Sequence, residues 1–188
     1  MNIDYLKPLS EEFIRNNKDE VNWISISHYQ NLNENFIREF QDKVDWNTIS
    51  WYQKLSEEFI REFQHKVNWS WISRNQKLSE NFIIEFQEEI DWYNISQYQK
   101  LSEKFIREFK DKVCWGYISF CQKLSKDFMR EFQNKIYWEF ILEKYGYKLK
   151  VLKNGKYQIK SNNYCSDLLY FSEIINLTLK LIALKAFQ

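Results

Sequence analysis

Residues 46–68 read W46-N-T-I-S-W-Y-Q-K-L-S-E-E-F-I-R-E-F-Q-H-K-V-N68, and nearly the same 23 residues occur five times end to end. Trp23, Trp46, Trp69, Trp92, Trp115 and Trp138 mark the beat, each 23 residues after the last, without gap or insertion. Counting each unit from its tryptophan as position 0, position 3 is Ile26, Ile49, Ile72, Ile95 and Ile118. Position 4 is always Ser, from Ser27 to Ser119, and position 7 is always Gln, from Gln30 to Gln122. Position 9 is Leu, positions 13 and 17 are Phe, and position 21 is Val or Ile.

These spacings are helical. Trp, Ile, Ser and Gln at 0, 3, 4 and 7 share one face, and Phe, Ile, Phe and Val at 13, 14, 17 and 21 share one face of a second helix. Caps rather than Gly or Pro separate the two. Ser56, Ser79, Ser102 and Ser125 each precede a first turn, and Asp45, Asn68 and Asp91 do so for the tryptophan helix. Their side-chain oxygens satisfy orphan amides, and the acids that follow most of the serines suit the helix dipole. Leu55 with Ile60 and Val44 with Ile49 stand at the spacing of a hydrophobic staple. The pattern predicts two helices per unit of about 9 and 11 residues, roughly 13 and 17 Å long, joined by short turns. Helices this short do not persist alone and must stack on their neighbours. The expected fold class is all-α, an α-solenoid of two-helix repeats.

Residues 1–22 read as a degenerate N-terminal capping repeat, with Ile3, Leu9, Phe13, Ile14 and Val21 in register and Asn17 in place of the second Phe. Residues 23–137 hold the five repeats. Residues 138–146 are a half repeat, stopped by Gly146 in the left-handed C′ conformation. Residues 147–188 change period. Alternation around Asn154-Gly155 predicts a β-hairpin pairing Val151 with Tyr157 and Leu149 with Ile159, closed by a three-residue loop with a bulge at Gly155. A Ser172-capped helix to about Ala186 completes a ββα cap.

The chain has 188 residues, 19% of them aromatic, with 3 Gly and 1 Pro. Its net charge of +1 is unevenly placed, because residues 1–143 carry 19 Lys and Arg against 24 Asp and Glu. Residues 144–188 carry 8 against 2. Cys114, Cys121 and Cys165 form no CxxC pair, which fits a reducing compartment. The N-terminus has no apolar signal core, and the apolar run 174–187 is broken by Lys180 and Lys185 and too short to span a bilayer. The expectation is an intracellular protein, not secreted, with no membrane insertion.

Little here points to catalysis. His28 and His65 lie in different units, so the serine column has no orienting base. His and Cys show no metal-ligand spacing, and no glycine-rich phosphate loop exists. No catalytic residue, metal or cofactor is expected. The second-helix charges pair at i,i+4, as in Glu57–Arg61, Glu103–Arg107, Glu39–Lys43 and Glu62–Lys66, and read as a solvated face. Unit three departs, with Ile84 for Arg and Glu89 for Lys, which suggests an acidic spot with Glu85 and Glu88.

Variation points to a partner. Position 5 reads His28, Trp51, Arg74, Gln97, Phe120, Glu143, and position 2 reads Ser25, Thr48, Trp71, Asn94, Tyr117, Phe140. The neighbouring columns stay fixed, so the fold does not dictate these residues. Trp51, Trp71, Arg74, Tyr117, Phe120 and Phe140 are the candidate partner-binding residues, since aromatics and Arg anchor interfaces. Lys148, Lys150, Lys153, Lys156 and Lys160 are a candidate anion-binding set, and equally a lysine-protected strand edge.

The unit W-x-x-I-S-x-Y-Q-x-L-S-E-x-F-I-R-E-F-x-x-K-V-x-W resembles short tandem repeats in proteins of giant, mimivirus-like DNA viruses and some large phages. The resemblance covers about residues 1–146 and implies a viral or phage origin, hence the host cytoplasm, but transfers no activity. The expected function is a non-enzymatic scaffold that binds a protein through the variable first-helix face. Two rivals stand beside it: a modular nucleic-acid binder using the lysine hairpin on phosphate, and a structural or self-assembling component.

Overall fold

The computed structural model describes residues 3–144, 147–151 and 157–161. The chain divides into two compact units, residues 1–99 and 100–188. The first holds α1 (Glu11–Asn16), α2 (Trp23–Tyr29), α3 (Glu34–Glu39), α4 (Trp46–Tyr52), α5 (Glu57–Glu62), α6 (Trp69–Asn75), α7 (Glu80–Glu85) and α8 (Trp92–Tyr98). The second holds α9 (Glu103–Glu108), α10 (Trp115–Cys121), α11 (Lys126–Glu131), α12 (Trp138–Lys144), β1 (Tyr147–Val151) and β2 (Tyr157–Ser161).

Each repeat is a tryptophan helix followed by a phenylalanine helix, and both start where the caps direct. Asp45 Oδ1 accepts from Thr48 N at 2.8 Å, and Ser56 Oγ accepts from Phe59 N at 3.2 Å. Cys114 holds the equivalent cap position of α10 without a side-chain cap bond. The helices are shorter than the spacing predicts, 7 residues for α4 and 6 for α5. Two local events stop them. Gln53, the C-cap of α4, is extended at φ −86° and ψ 149°. Phe63, the C-cap of α5, leaves the helix at φ −109° and ψ 27°, and its carbonyl then closes a separate turn with the amides of Lys66 and Val67 at 2.9 and 3.1 Å. The connection after α5 is therefore longer than the short turn expected, and residues past position 16 lose helical register.

The first unit stacks its tryptophan helices in order, α2 on α4, α4 on α6 and α6 on α8. Ile14, Ile26, Ile37, Ile49, Ile60 and Ile72 are fully buried between the layers, with Phe36, Phe59 and Phe82 beside them. In the second unit α10 packs on α12, α12 on β1, and Ile106, Ile118, Phe128 and Met129 are buried. Within each unit the arrangement is that of a solenoid of tandem helical pairs.

The tryptophans of the 23-residue beat are less deeply set than the isoleucines beside them. Trp23, Trp46, Trp69, Trp92 and Trp115 are half-buried, and Trp138 is buried at 6% exposure. Trp46 lies 4.9 Å from the Phe63 ring, centroid to centroid, and its Nε1 donates to the carbonyl of Gln41 at 2.9 Å. One edge of the indole thus caps a turn near the surface while its face covers the phenylalanine helix.

Polar columns join each repeat to the one before it. Gln53 Nε2 donates to the carbonyls of Ser27 and Gln30 at 2.9 and 2.8 Å, and its Oε1 accepts from Leu32 N at 3.1 Å. Gln76 and Gln99 repeat the pattern, and Leu101 N donates to Gln122 Oε1 in the second unit. Gln30 makes the same reach into the N-terminal segment, donating to Tyr5 O and Lys7 O and accepting from Leu9 N. Residues 5–9 thus serve as the backbone of a preceding repeat. The serine column works within the unit: Ser50 Oγ donates to Trp46 O at 2.7 Å and accepts from Asn68 N at 2.9 Å. Buried backbone groups with no helical partner are satisfied in this way.

The outer face is also wired between repeats, which corrects the expectation of local pairing. Arg15 pairs with Glu39 at 2.8 Å, Arg38 with Glu62 at 2.7 Å, Arg61 with Glu85 at 2.9 Å and Arg107 with Glu131 at 2.8 Å. The i,i+4 pairs are looser, 3.7 Å for Arg61–Glu57 and 3.8 Å for Arg107–Glu103. Each of these guanidiniums lies about 5 Å over a phenylalanine of the next repeat, Arg61 over Phe82 for example. The expected Glu39–Lys43 and Glu62–Lys66 pairs do not form. Lys43 and Lys66 sit on the turn after the helix and reach back to Asp19 and Asp42 at 2.6 and 3.0 Å. Of the suggested acidic spot, Glu85 is held by Arg61 of the preceding repeat.

β1 and β2 pair antiparallel, with Leu149 opposite Ile159 and Val151 opposite Tyr157. The loop at 153–155 with its bulge at Gly155, the stop at Gly146 and the Ser172-capped helix lie outside the described residues.

Candidate recognition face on the tryptophan helices

The tryptophan helices bury positions 3, 4 and 7, so positions 1, 2, 5 and 6 are left to cover the opposite side. In the first unit these residues assemble into a row. His28 lies 4.1 Å from Tyr29 and 4.0 Å from Tyr52, ring centroid to centroid. Tyr52 stacks at 10° on Trp51, and Trp51 meets Trp71 at 3.7 Å. Arg74 then lies over Trp71 at 5.8 Å and over Tyr98 at 4.9 Å. Four successive repeats therefore contribute to one line of aromatic and cationic groups. Trp51 is 39% exposed, Tyr52 47% and Tyr98 44%. Trp71 is half-buried and Arg74 exposed.

In the second unit Tyr117 is half-buried, while Phe120 and Phe140 are exposed. Phe120 and Phe140 meet edge to face at 6.0 Å and 76°, and Tyr137 stacks under Phe140 at 5.7 Å and 12°. Tyr117, Phe120 and Phe140 line one concavity together with Gly116 and Glu143. The six aromatic and Arg positions singled out from sequence therefore fall into two groups, Trp51, Trp71 and Arg74 in one unit and Tyr117, Phe120 and Phe140 in the other.

Sequence reasoning missed the position-6 tyrosines, Tyr29, Tyr52 and Tyr98, which complete the row. Their helical proximity to position 2 and position 5 of the neighbouring repeats was the available signal. It also missed Lys144. This residue sits one place before the slot where a sixth Gln would stand, and its Nζ donates to the Gln122 carbonyl. That carbonyl is the acceptor a following Gln would use. Burial pushes the Lys144 ammonium below its ordinary value, and burial raises the Cys121 thiol nearby.

Of the candidate anion-binding set, Lys148 and Lys150 lie on β1 and Lys160 on β2. Lys153 and Lys156 lie outside the described residues. Among the described residues no group of three or more His, Cys, Asp or Glu could hold a metal ion, and no helix is long and apolar enough to cross a membrane. Comparison with protein-family models, with curated proteins and with solved structures finds no match.

Proposed function

We propose that the chain is a non-enzymatic repeat scaffold that binds a protein partner through positions 2, 5 and 6 of its tryptophan helices. The observation that carries this reading is the row His28–Tyr52–Trp51–Trp71–Arg74–Tyr98. Large aromatic groups stay at the surface where the fixed columns have already satisfied the fold. Such residues serve as interface anchors, since they supply contact area at low entropic cost. An intracellular setting, and the viral origin implied by the repeat's resemblance, complete this reading.

The nucleic-acid rival is less well supported. A base stacks on a free ring face, and in this row the faces are largely spent on one another. The arginines of the outer face are engaged by Glu39, Glu62, Glu85 and Glu131 and make a poor phosphate track.

The test is affinity capture from the native cell with the chain as bait and nuclease added in parallel. A Trp51→Ser, Trp71→Ser, Phe120→Ser variant should lose the captured protein and keep its helical spectrum. Undiminished capture would reject the proposal, and capture abolished by nuclease would favour the nucleic-acid rival. Mass measurement in solution separates both from self-assembly.

A further inference from the structure

The concavity on α10 and α12 has a volume of about 410 Å³ and is lined by Gly116, Tyr117, Phe120, Phe140 and Glu143. Its size falls in the range of about 300–1,000 Å³ usual for small-ligand sites. It exists because of Gly116. The same helical position carries Ile24, Asn47, Ser70 and Tyr93 in the earlier repeats. A Cβ at Gly116 would already touch the Phe140 ring, at 3.7 Å from Cε2. A full side chain there would fill the space.

Two of the walls are perpendicular. Phe120 and Phe140 stand at 76°, so one offers its face where the other offers its edge. Tyr137, stacked under Phe140, holds that ring in place. Glu143 follows Phe140 by three residues on α12 and forms no ion pair with any described residue. Aromatic faces carry negative potential, and a carboxylate at the rim adds a full charge. An uncharged apolar occupant would cover that carboxylate without compensating it. A simple ammonium would leave its strongly hydrated N–H groups with few acceptors. Methylation removes those donors and keeps the charge.

We propose that this concavity is an aromatic cage for a methylated ammonium group, with Tyr117, Phe120 and Phe140 as walls and Glu143 as counter-charge. The group occurs on methylated lysine side chains and on choline headgroups, and the walls recognise what the two share. The inference rests on reading this helix face as a recognition surface, but it concerns the second unit alone and does not need Trp51 or Trp71.

Isothermal titration of the full chain with free trimethyllysine, choline and the neutral carbon analogue 3,3-dimethylbutanol tests it. Saturable binding of either cation, with the neutral analogue about tenfold weaker or worse, is the expected result. Equal binding of the neutral analogue, or saturation by neither cation, overturns the proposal. Glu143→Gln, at an exposed position, should weaken cation binding and reduce its salt dependence. Gly116→Tyr, which borrows the residue of the preceding repeat, should abolish binding while thermal unfolding stays cooperative. Retained affinity in Gly116→Tyr would also overturn the cage. A trimethyllysine peptide and phosphatidylcholine vesicles then separate the two sources. Failure of the scaffold reading shows as unchanged partner capture by Trp51→Ser and Trp71→Ser, and leaves these titrations unaffected.

Discussion

Gln76 Nε2 donates to the carbonyl of Gln53, one repeat earlier, at 2.8 Å, while its Oε1 accepts from Leu55 N at 3.0 Å. One amide side chain thereby satisfies two otherwise unpaired backbone groups of the preceding repeat and also reaches the Ser50 carbonyl at 3.3 Å. Gln76→Ala strands both and should cost about 2–6 kcal/mol, given roughly 1–3 kcal/mol for each buried group left unsatisfied. Urea unfolding followed by circular dichroism measures it, and a loss under 1 kcal/mol (on the order of a surface substitution) would show that water replaces the bridge.

Gln76→Glu should give a pH-dependent version of the same loss. The carboxylate keeps the acceptor for Leu55 N but turns a negative oxygen toward carbonyls, so its folded pKa rises above the ordinary carboxylate value. The contribution is fully present below the unfolded pKa and is lost as pH rises through the folded pKa. The variant should therefore approach wild-type stability in acid and fall away toward neutral pH.

The Asp111–Lys135 pair has the opposite sign. The hydrogen bond from Lys135, at 2.8 Å, is the main cause that holds the Asp111 carboxyl below its ordinary value, and Asp19 is lowered in the same way by Lys43. For a depressed carboxyl the contribution is present above the unfolded pKa and lost as pH falls through the folded one. Asp111→Asn should flatten the acid limb of the stability profile, more so at low salt, because both groups are exposed and screened.

Ser50→Ala should cost about 1–2 kcal/mol, because Asn68 N then loses the acceptor that starts the next tryptophan helix. Ser50→Cys, with a poorer acceptor of similar shape, should fall between wild type and Ala in thermal unfolding.

The ring centroids of Trp51 and Trp71, 3.7 Å apart, should produce an exciton couplet in the far-ultraviolet circular dichroism. Trp51→Phe should remove it. Because Trp51 is an exposed residue, the change in stability should stay within about 0.5 kcal/mol. Phe63→Ala, in the core at 4% exposure, should instead cost about 3–5 kcal/mol.

Much of the architecture was legible because it is local. A Ser or Asp cap acts within three residues, so Ser56 and Asp45 could be placed without knowing anything distant. The length of the helices was not, because Gln53 leaves the helix to serve a backbone one repeat away, and a periodic pattern does not register that demand. The charges failed for the same reason. Glu39 and Lys43 are four apart in sequence, but the turn after Phe40 separates them, and each finds a partner in the preceding repeat. Of the candidate face, the variable columns identified Trp51 and Trp71 but not their stacking. The contribution of Gly116 could not be seen either, since its importance lies in what is missing opposite Phe140.

The glutamine bridges in residues 3–99 all point one way, toward the N-terminus. A repeat emerging from the ribosome therefore meets backbone partners that are already made and folded, and leaves its own last backbone groups for the glutamine of the repeat that follows. Assembly can follow the order of translation, each new pair of helices templated by the last. Deleting repeats from the C-terminal side should then leave a foldable remainder, whereas removing the first segment takes away the surface on which the series is laid down.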